Sequence, residues 1–183
     1  MADRAALVTG GSSGIGLAIA QLLRDEGYDL TLASRTREKI EAAAGELGAH
    51  AVAADMSKEE DCVRVVAEHA DRYGGLNVLV NSAGIGIAGT GPTPGLTVYG
   101  ATKAAVIALT RSQNLELDDA GVRAIAICPG FVDTPMAEWS GIPPAEMIRP
   151  EDCAEVVRMC LRLSPHARIP QVVIERMGSN DFA

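Results

Sequence analysis

The sequence is poor in aromatic residues and in positive charge. Only 3% of its 183 residues are aromatic although 48% are hydrophobic, so aliphatic side chains must fill the core. Sixteen Lys and Arg against 24 Asp and Glu leave a net charge of −8. A nucleic-acid or membrane-surface partner would require a basic patch, so the composition argues against both. The length is enough for one compact domain with a sizeable core.

The sequence also lacks metal-ligand spacing, a leader segment and a membrane span. No CxxC pair or Cys/His cluster occurs, and the three histidines have no partners at ligand spacing, which favours free thiols and no metal. No charged-then-apolar leader opens the chain, and no apolar run approaches the roughly 18 residues that a membrane helix needs. We therefore expect a soluble cytoplasmic protein with reduced cysteines at positions 62, 128, 153 and 160.

Short apolar runs alternate with segments of helical periodicity along the whole chain. This alternation predicts an α/β fold, a doubly wound parallel sheet with helices on both faces, in a single domain over residues 1–183. The predicted strands are 5–9, 28–34, 49–54, 77–81, 122–128 and 171–175, and the predicted helices are 15–26, 37–47, 58–73, 98–118 and 150–163.

A glycine-rich loop joins the first predicted strand to the first predicted helix. In that context one glycine permits a tight turn, another lets the backbone approach a pyrophosphate, and a third allows close packing of helix on strand. The phosphates then lie at the helix N-terminus, where free N–H groups favour an anion. We therefore predict dinucleotide binding, with contacts from Gly10, Ser12, Ser13, Gly14, Ile15 and Gly16.

The end of the second predicted strand favours NADP over NAD. An acidic residue there would hold the ribose hydroxyls of NAD, but the sequence reads Ser34-Arg35-Thr36-Arg37. Arg35 suits a 2′-phosphate, because a guanidinium forms strong, charge-assisted hydrogen bonds with phosphate oxygens. The alternative is a solvated cation at the start of a helix.

Four motifs occur in one order along the chain: Gly10-x3-Gly14-x-Gly16, Asn81-Ser82-Ala83-Gly84, Tyr99-x3-Lys103 and Pro129-Gly130. In this combination the sequence resembles the short-chain dehydrogenase/reductase family over nearly its whole length. The resemblance implies an oxidoreductase that moves a hydride between a nicotinamide cofactor and a small carbonyl or alcohol substrate. It also implies a homodimer or homotetramer.

The resemblance implies that Tyr99 is the general acid and that Lys103 assists it while binding the nicotinamide ribose. A free tyrosine has a pKa near 10, too high for efficient proton exchange at neutral pH. Lys103 follows Tyr99 by one helical turn. We expect its charge to favour the phenolate and to lower that pKa.

Further cofactor contacts are carried over from the family one position at a time. Asp55 would contact the adenine amine through its side chain and Met56 would do so through its backbone, although Asp55 could instead cap the following helix. The other implied contacts are Asn81, Ala83 and Gly84 beside the adenosine ribose, and Pro129, Gly130, Val132 and Thr134 beside the nicotinamide.

The sequence departs from the family between Gly84 and Tyr99, where only residues 85–98 intervene. Family members carry a long helix there and then a central strand that ends in the catalytic serine. Gly86 stands at the position of that serine, so one central helix–strand unit is missing near residues 85–87. Either a longer natural protein contains the segment, or the chain is truly this short and exposes inner strand edges. The latter would favour a catalytically inactive dinucleotide-binding module, or a fragment that binds nothing.

Overall fold

The computed structural model describes residues 4–84 and 97–178. The chain divides into two compact units, residues 1–85 and 86–183, and each unit is described by itself.

The first unit is a parallel sheet with a helix after each of its first three strands. All strand pairs are parallel and the strand order is β3-β2-β1-β4. The elements are β1 (Ala5–Thr9), α1 (Gly14–Asp25), β2 (Asp29–Ser34), α2 (Arg37–Leu47), β3 (His50–Ala53), α3 (Glu59–Tyr73) and β4 (Val78–Asn81).

The strand order reverses direction between β1 and β4. The chain moves outward from β1 to β2 and β3, and then crosses back to place β4 on the other side of β1. Thr9 at the end of β1 is in register with Asn81 of β4 and with Ala33 of β2. In open parallel sheets, ligands bind beyond the carboxyl ends of the strands at such a switch point. The glycine loop begins there.

Aliphatic side chains fill the core of this unit, as the composition predicts. Leu7, Val8, Leu30, Leu32 and Ile40 are almost completely buried. Burying a side chain of this size stabilises the fold by about 1.5–3 kcal/mol. All five residues of β1 and the four central residues of β2 are buried, so both faces of these two strands are covered.

The second unit contains a long helix, a two-stranded parallel sheet and a further helix. Its elements are α4 (Thr97–Glu116), β5 (Ala126–Pro129), α5 (Pro150–Leu161) and β6 (Gln171–Ile174), with short 3-10 turns at Pro135–Ser140 and Pro144–Glu146. No helix in the described part of the chain is long and apolar enough to cross a membrane.

The prediction of a strand over 122–128 is wrong in its extent, because β5 begins only at Ala126. Asn114 of α4 accounts for the difference. Its side-chain amide donates to the Ala124 carbonyl oxygen at 2.7 Å and accepts from the Ala124 N–H at 3.0 Å. The amide therefore takes the two backbone hydrogen bonds that a neighbouring strand would otherwise make. Asn114 is buried, and sequence reasoning missed it.

Candidate active site

Two glycines of the loop lie where a side chain would collide with backbone. A Cβ added at Gly16 would lie 2.3 Å from the Gly10 carbonyl oxygen, so only glycine lets the first turn of α1 pack this closely on the loop. A Cβ at Gly10 would lie 2.8 Å from the backbone of Ser82 and Ala83, and Gly10 also has a positive φ of 69°. The first turn of α1 therefore packs directly on the loop backbone, and the loop packs directly on the turn after β4.

The N-terminus of α1 has backbone N–H groups that no side chain caps. Ser13 is the N-cap residue in extended conformation, and its hydroxyl makes no capping hydrogen bond. Gly14 follows with a positive φ of 55°, and the first turn holds no acidic residue. Uncapped N–H groups and the positive end of the helix dipole form a site that favours an anion.

Thr9 joins the glycine loop to the turn after β4, a role that sequence reasoning missed. Its hydroxyl donates to the Val80 carbonyl oxygen at 3.3 Å and accepts from the Ala83 N–H at 3.2 Å. These bonds hold residues 81–84 beside Gly10. The structure therefore brings the predicted pyrophosphate loop and the predicted ribose turn, Asn81, Ala83 and Gly84, to one end of the sheet.

Arg35 and Asp55 lie beyond the ends of β2 and β3. Arg35 is exposed and makes no ion pair with any described residue, whereas Arg37 pairs with Glu41 at 3.2 Å. Hydrogen bonds from the Ser57 N–H and hydroxyl lower the pKa of Asp55, and the positive charge of Arg35 adds to this effect.

Asp55 does not cap helix α3, since Lys58 occupies the N-cap position. The Asp55 carboxylate instead closes a turn onto Ser57, just before the helix. Met56 follows it and is partly buried against a core cluster to which β1, β2, β3 and α3 all contribute. The contacts predicted for Asp55 and Met56 with adenine remain predictions.

Tyr99 and Lys103 lie together on α4, but not in the predicted electrostatic relation. The Lys103 ammonium lies over the tyrosine ring, with Nζ 5.2 Å from the ring centroid. Burial raises the pKa of Tyr99 above its usual value of 10.0. The expectation of a lowered pKa is therefore wrong for this structure, because burial disfavours the charged phenolate.

The predicted nicotinamide segment follows directly from β5. The Gly130 N–H donates to the Ile174 carbonyl oxygen at 2.9 Å, which ties the segment to β6. Val132 is buried and forms an isolated parallel bridge with Ile148. The Thr134 hydroxyl donates to the Val132 carbonyl oxygen at 3.3 Å. The segment from Pro129 to Thr134 is thus anchored along its length.

The predicted site residues fall into two sets, one in each unit. The loop, Arg35, Asp55 and the ribose turn belong to the first unit, and Tyr99, Lys103 and the segment after β5 belong to the second. Gly86 lies outside the described residues. Across residues 4–84 and 97–178, no three His, Cys, Asp or Glu side chains come together where they could hold a metal ion.

A family model described as short chain dehydrogenase matches the sequence over residues 4–90 and 86–141. The chain belongs to the short-chain dehydrogenase/reductase family. The resemblance carried by the four motifs is thereby confirmed, and with it membership of a family of oxidoreductase enzymes.

The relatives of this short-chain dehydrogenase/reductase include an uncharacterized oxidoreductase of Staphylococcus aureus. That protein is 28% identical over 225 aligned positions, which cover 95% of this chain and 97% of the relative. An uncharacterized oxidoreductase of Staphylococcus epidermidis is also 28% identical, over 94% of this chain and 96% of the relative.

Two solved structures share the fold. A 3-ketoacyl-(acyl-carrier-protein) reductase from Brucella melitensis, complexed with NADH, is 26% identical with a TM-score of 0.83, and the match covers 94% of this chain and 96% of that one. An alcohol dehydrogenase from the archaeon Thermococcus sibiricus, complexed with 5-hydroxy-NADP, is 26% identical with a TM-score of 0.86, covering 97% and 98%. The predicted fold class, a doubly wound parallel α/β sheet of Rossmann type, is confirmed.

Proposed function

We propose that this chain is an NADP(H)-dependent oxidoreductase that reduces a carbonyl or oxidises an alcohol by hydride transfer. The observation that carries the proposal is the glycine loop at the switch point of the sheet. Gly16 and Gly10 leave no room for side chains, and the loop leads into an uncapped helix N-terminus. The two solved relatives described above, one with NADH and one with 5-hydroxy-NADP, support a nicotinamide dinucleotide as the cofactor.

The preference for NADP rests on Arg35. Its guanidinium is exposed and unpaired among the described residues, at the carboxyl end of the strand beside β1. A free guanidinium at this place can take a 2′-phosphate, whereas a carboxylate would repel one.

The residues that would hold the cofactor are those that the glycine loop and the family resemblance indicate. Residues 12–16 would bind the pyrophosphate, Asp55 and the turn after β4 the adenosine half, and the segment after β5 the nicotinamide half. Bound there, a reduced nicotinamide dinucleotide supplies the hydride.

Tyr99 would supply the proton to the carbonyl oxygen. Its hydroxyl carries a proton to give at neutral pH, but burial raises its pKa and makes it a weaker acid, so a positive charge must stabilise the phenolate as the proton leaves. The ammonium of Lys103, with Nζ 5.2 Å from the ring centroid, is the positive charge placed to do so.

We also propose that a central helix–strand unit is absent near residues 85–87. The two stretches matched by the family model overlap at residues 86–90. The alignment with the Staphylococcus aureus relative spans 225 positions but takes in only 95% of this chain's 183 residues, so about 50 positions have no counterpart here. In addition, β4 is the last strand of the described sheet, and Leu79 on it is 47% exposed.

The intact mass of the protein isolated from its source decides whether that unit exists. A mass matching the 183-residue chain would mean that the serine of the family is truly absent, which favours an inactive binding module. A mass several kilodaltons higher would mean that the natural protein carries the unit.

We propose in addition that the protein is a cytoplasmic homodimer or homotetramer that acts on a small molecule. Sedimentation of the purified protein tests the assembly.

Tyr99→Phe tests the enzymatic function. The variant should lose carbonyl-dependent NADPH oxidation by at least a hundredfold, the scale of general acid catalysis, while its affinity for NADPH stays within about twofold. Tyr28→Phe is the matched control, because the Tyr28 hydroxyl bonds only Arg4 among the described residues. Turnover that survives in Tyr99→Phe would contradict the assignment. A wild-type chain that binds NADPH but turns over no carbonyl would support the inactive module.

A further inference from the structure

Three side chains from the first turns of α3 bind the backbone between β3 and α3. Asp61 Oδ2 accepts from the Asp55 N–H at 2.9 Å. Arg64 Nη2 donates to the Ala53 carbonyl oxygen at 3.0 Å. The Cys62 thiol donates more weakly to the Met56 carbonyl oxygen at 3.6 Å. The helix thus holds the backbone on both sides of Asp55.

Asp61 and Arg64 also bind each other. Arg64 Nη2 donates to Asp61 Oδ1 at 2.6 Å, and Arg64 Nη1 donates to Glu68 Oε1 at 3.0 Å. Asp61 therefore gives one oxygen to the arginine and the other to the Asp55 backbone. The Asp55 N–H and the guanidinium lower the pKa of Asp61, so the carboxylate stays charged at neutral pH.

The loop held in this way carries a carboxyl oxygen that a ligand can reach. Asp55 Oδ1 accepts from the N–H and hydroxyl of Ser57, which fixes the rotation of the carboxylate. Asp55 Oδ2 accepts no hydrogen bond from any described residue. A fixed carboxylate with one free oxygen is suited to accept an amine proton, as the exocyclic amine of adenine would offer.

We propose that Asp61 and Arg64 are positioning residues that set the geometry of the Asp55–Met56 loop and thereby the affinity for the adenosine half of the dinucleotide. The inference rests on the proposed function, because it assumes that the dinucleotide is the ligand. Neither residue touches the ligand in this account. Both act through the backbone of the loop, by pre-organising it before binding.

Isothermal titration with two half-cofactors tests the proposal without requiring turnover. Adenosine 2′,5′-bisphosphate probes the adenosine half, and reduced nicotinamide mononucleotide probes the other. Asp61→Ala should raise the Kd for the bisphosphate roughly three- to tenfold, the scale of one lost hydrogen bond, and should leave the mononucleotide unchanged. Asp61→Asn keeps an oxygen for the Asp55 N–H and should recover part of the affinity.

Glu60→Ala is the matched control. Glu60 is the neighbouring acidic residue in the first turn of α3, it is exposed, and it bonds no loop atom among the described residues. Glu60→Ala removes one negative charge near the helix N-terminus, as Asp61→Ala does, and therefore loses the same kind of favourable interaction with the helix dipole. The bisphosphate affinity of this variant should stay within about twofold of the wild type.

The outcomes separate this inference from the proposed function. Equal bisphosphate affinity in Asp61→Ala and the wild type would overturn the positioning role. So would a loss of bisphosphate affinity in Glu60→Ala as large as that in Asp61→Ala, or a loss of mononucleotide affinity in Asp61→Ala as large as its loss of bisphosphate affinity. In each case the cofactor assignment would stand. A wild-type chain that binds neither NADPH nor the bisphosphate would overturn both.

Discussion

The tightest glycine contact in the described structure gives the sharpest prediction. In Gly16→Ala the new Cβ would lie 2.3 Å from the Gly10 carbonyl oxygen and 2.8 Å from the Gly10 carbonyl carbon. Contacts this short with backbone require the loop or the first turn of α1 to move. Overpacking of this kind costs about 1–3 kcal/mol, and the roughly 0.5–1 kcal/mol that alanine gains over glycine in a helix offsets only part of this cost. The same movement would displace the N–H groups that face the pyrophosphate.

Gly45→Ala is the control for this substitution. Gly45 lies in α2, and an added Cβ there would have no neighbour within 4 Å. Alanine is therefore expected to stabilise the protein by about 0.5–1 kcal/mol at this position, because it loses less backbone entropy on folding.

Thermal unfolding and NADPH titration together form the assay. For a chain of this length, each kcal/mol shifts Tm by about 2–4 °C. Gly16→Ala should lower Tm by up to about 10 °C and weaken NADPH binding at least tenfold, while Gly45→Ala should leave binding unchanged and raise Tm slightly. A Gly16→Ala protein with wild-type Tm and wild-type NADPH affinity would refute the argument from close packing.

Two further predictions concern Arg35 and His69. Arg35→Ala should weaken NADPH binding about tenfold and leave NADH binding unchanged, as fluorescence titration would measure. Arg37→Ala is the control and should change neither affinity, because the Arg37 guanidinium is already paired with Glu41. Equal losses of affinity for the two cofactors in Arg35→Ala would contradict the 2′-phosphate role. Buried His69 bonds Thr31 at 2.8 Å and burial lowers its pKa below 6.5, so the unfolded chain binds more protons just below pH 6.5. The contribution of His69 to the free energy of unfolding should therefore be fully present above that pH and fall as pH drops, by at most about 1.4 kcal/mol per pH unit. Urea unfolding at several pH values should show a weaker pH dependence of this free energy in His69→Gln but not in the control His50→Gln.

Local patterns predicted much of the first unit. The predicted bounds of β1 and α2 agree with the structure at both ends, since apolar runs and a terminal glycine define each element. The glycine contacts were also predictable, because the spacing between a strand and a helix specifies which residues must approach one another.

Side-chain geometry accounts for what the sequence did not reveal. The start of β5 depends on the Asn114 amide, which reaches Ala124 ten positions away. The pKa of Tyr99 is raised by burial, and the Lys103 ammonium lies over the ring of Tyr99. Spacing along a helix predicts that two residues are neighbours, but not which atoms meet. The roles of the site residues toward cofactor and substrate remain predictions.

Titration of NADPH and NADH into the purified chain tests the central claim most directly. The account predicts saturable binding of both, with NADPH bound about tenfold more tightly, and loss of that difference in Arg35→Ala. Absence of binding by either dinucleotide would contradict the claim that the glycine loop of this chain is a cofactor site.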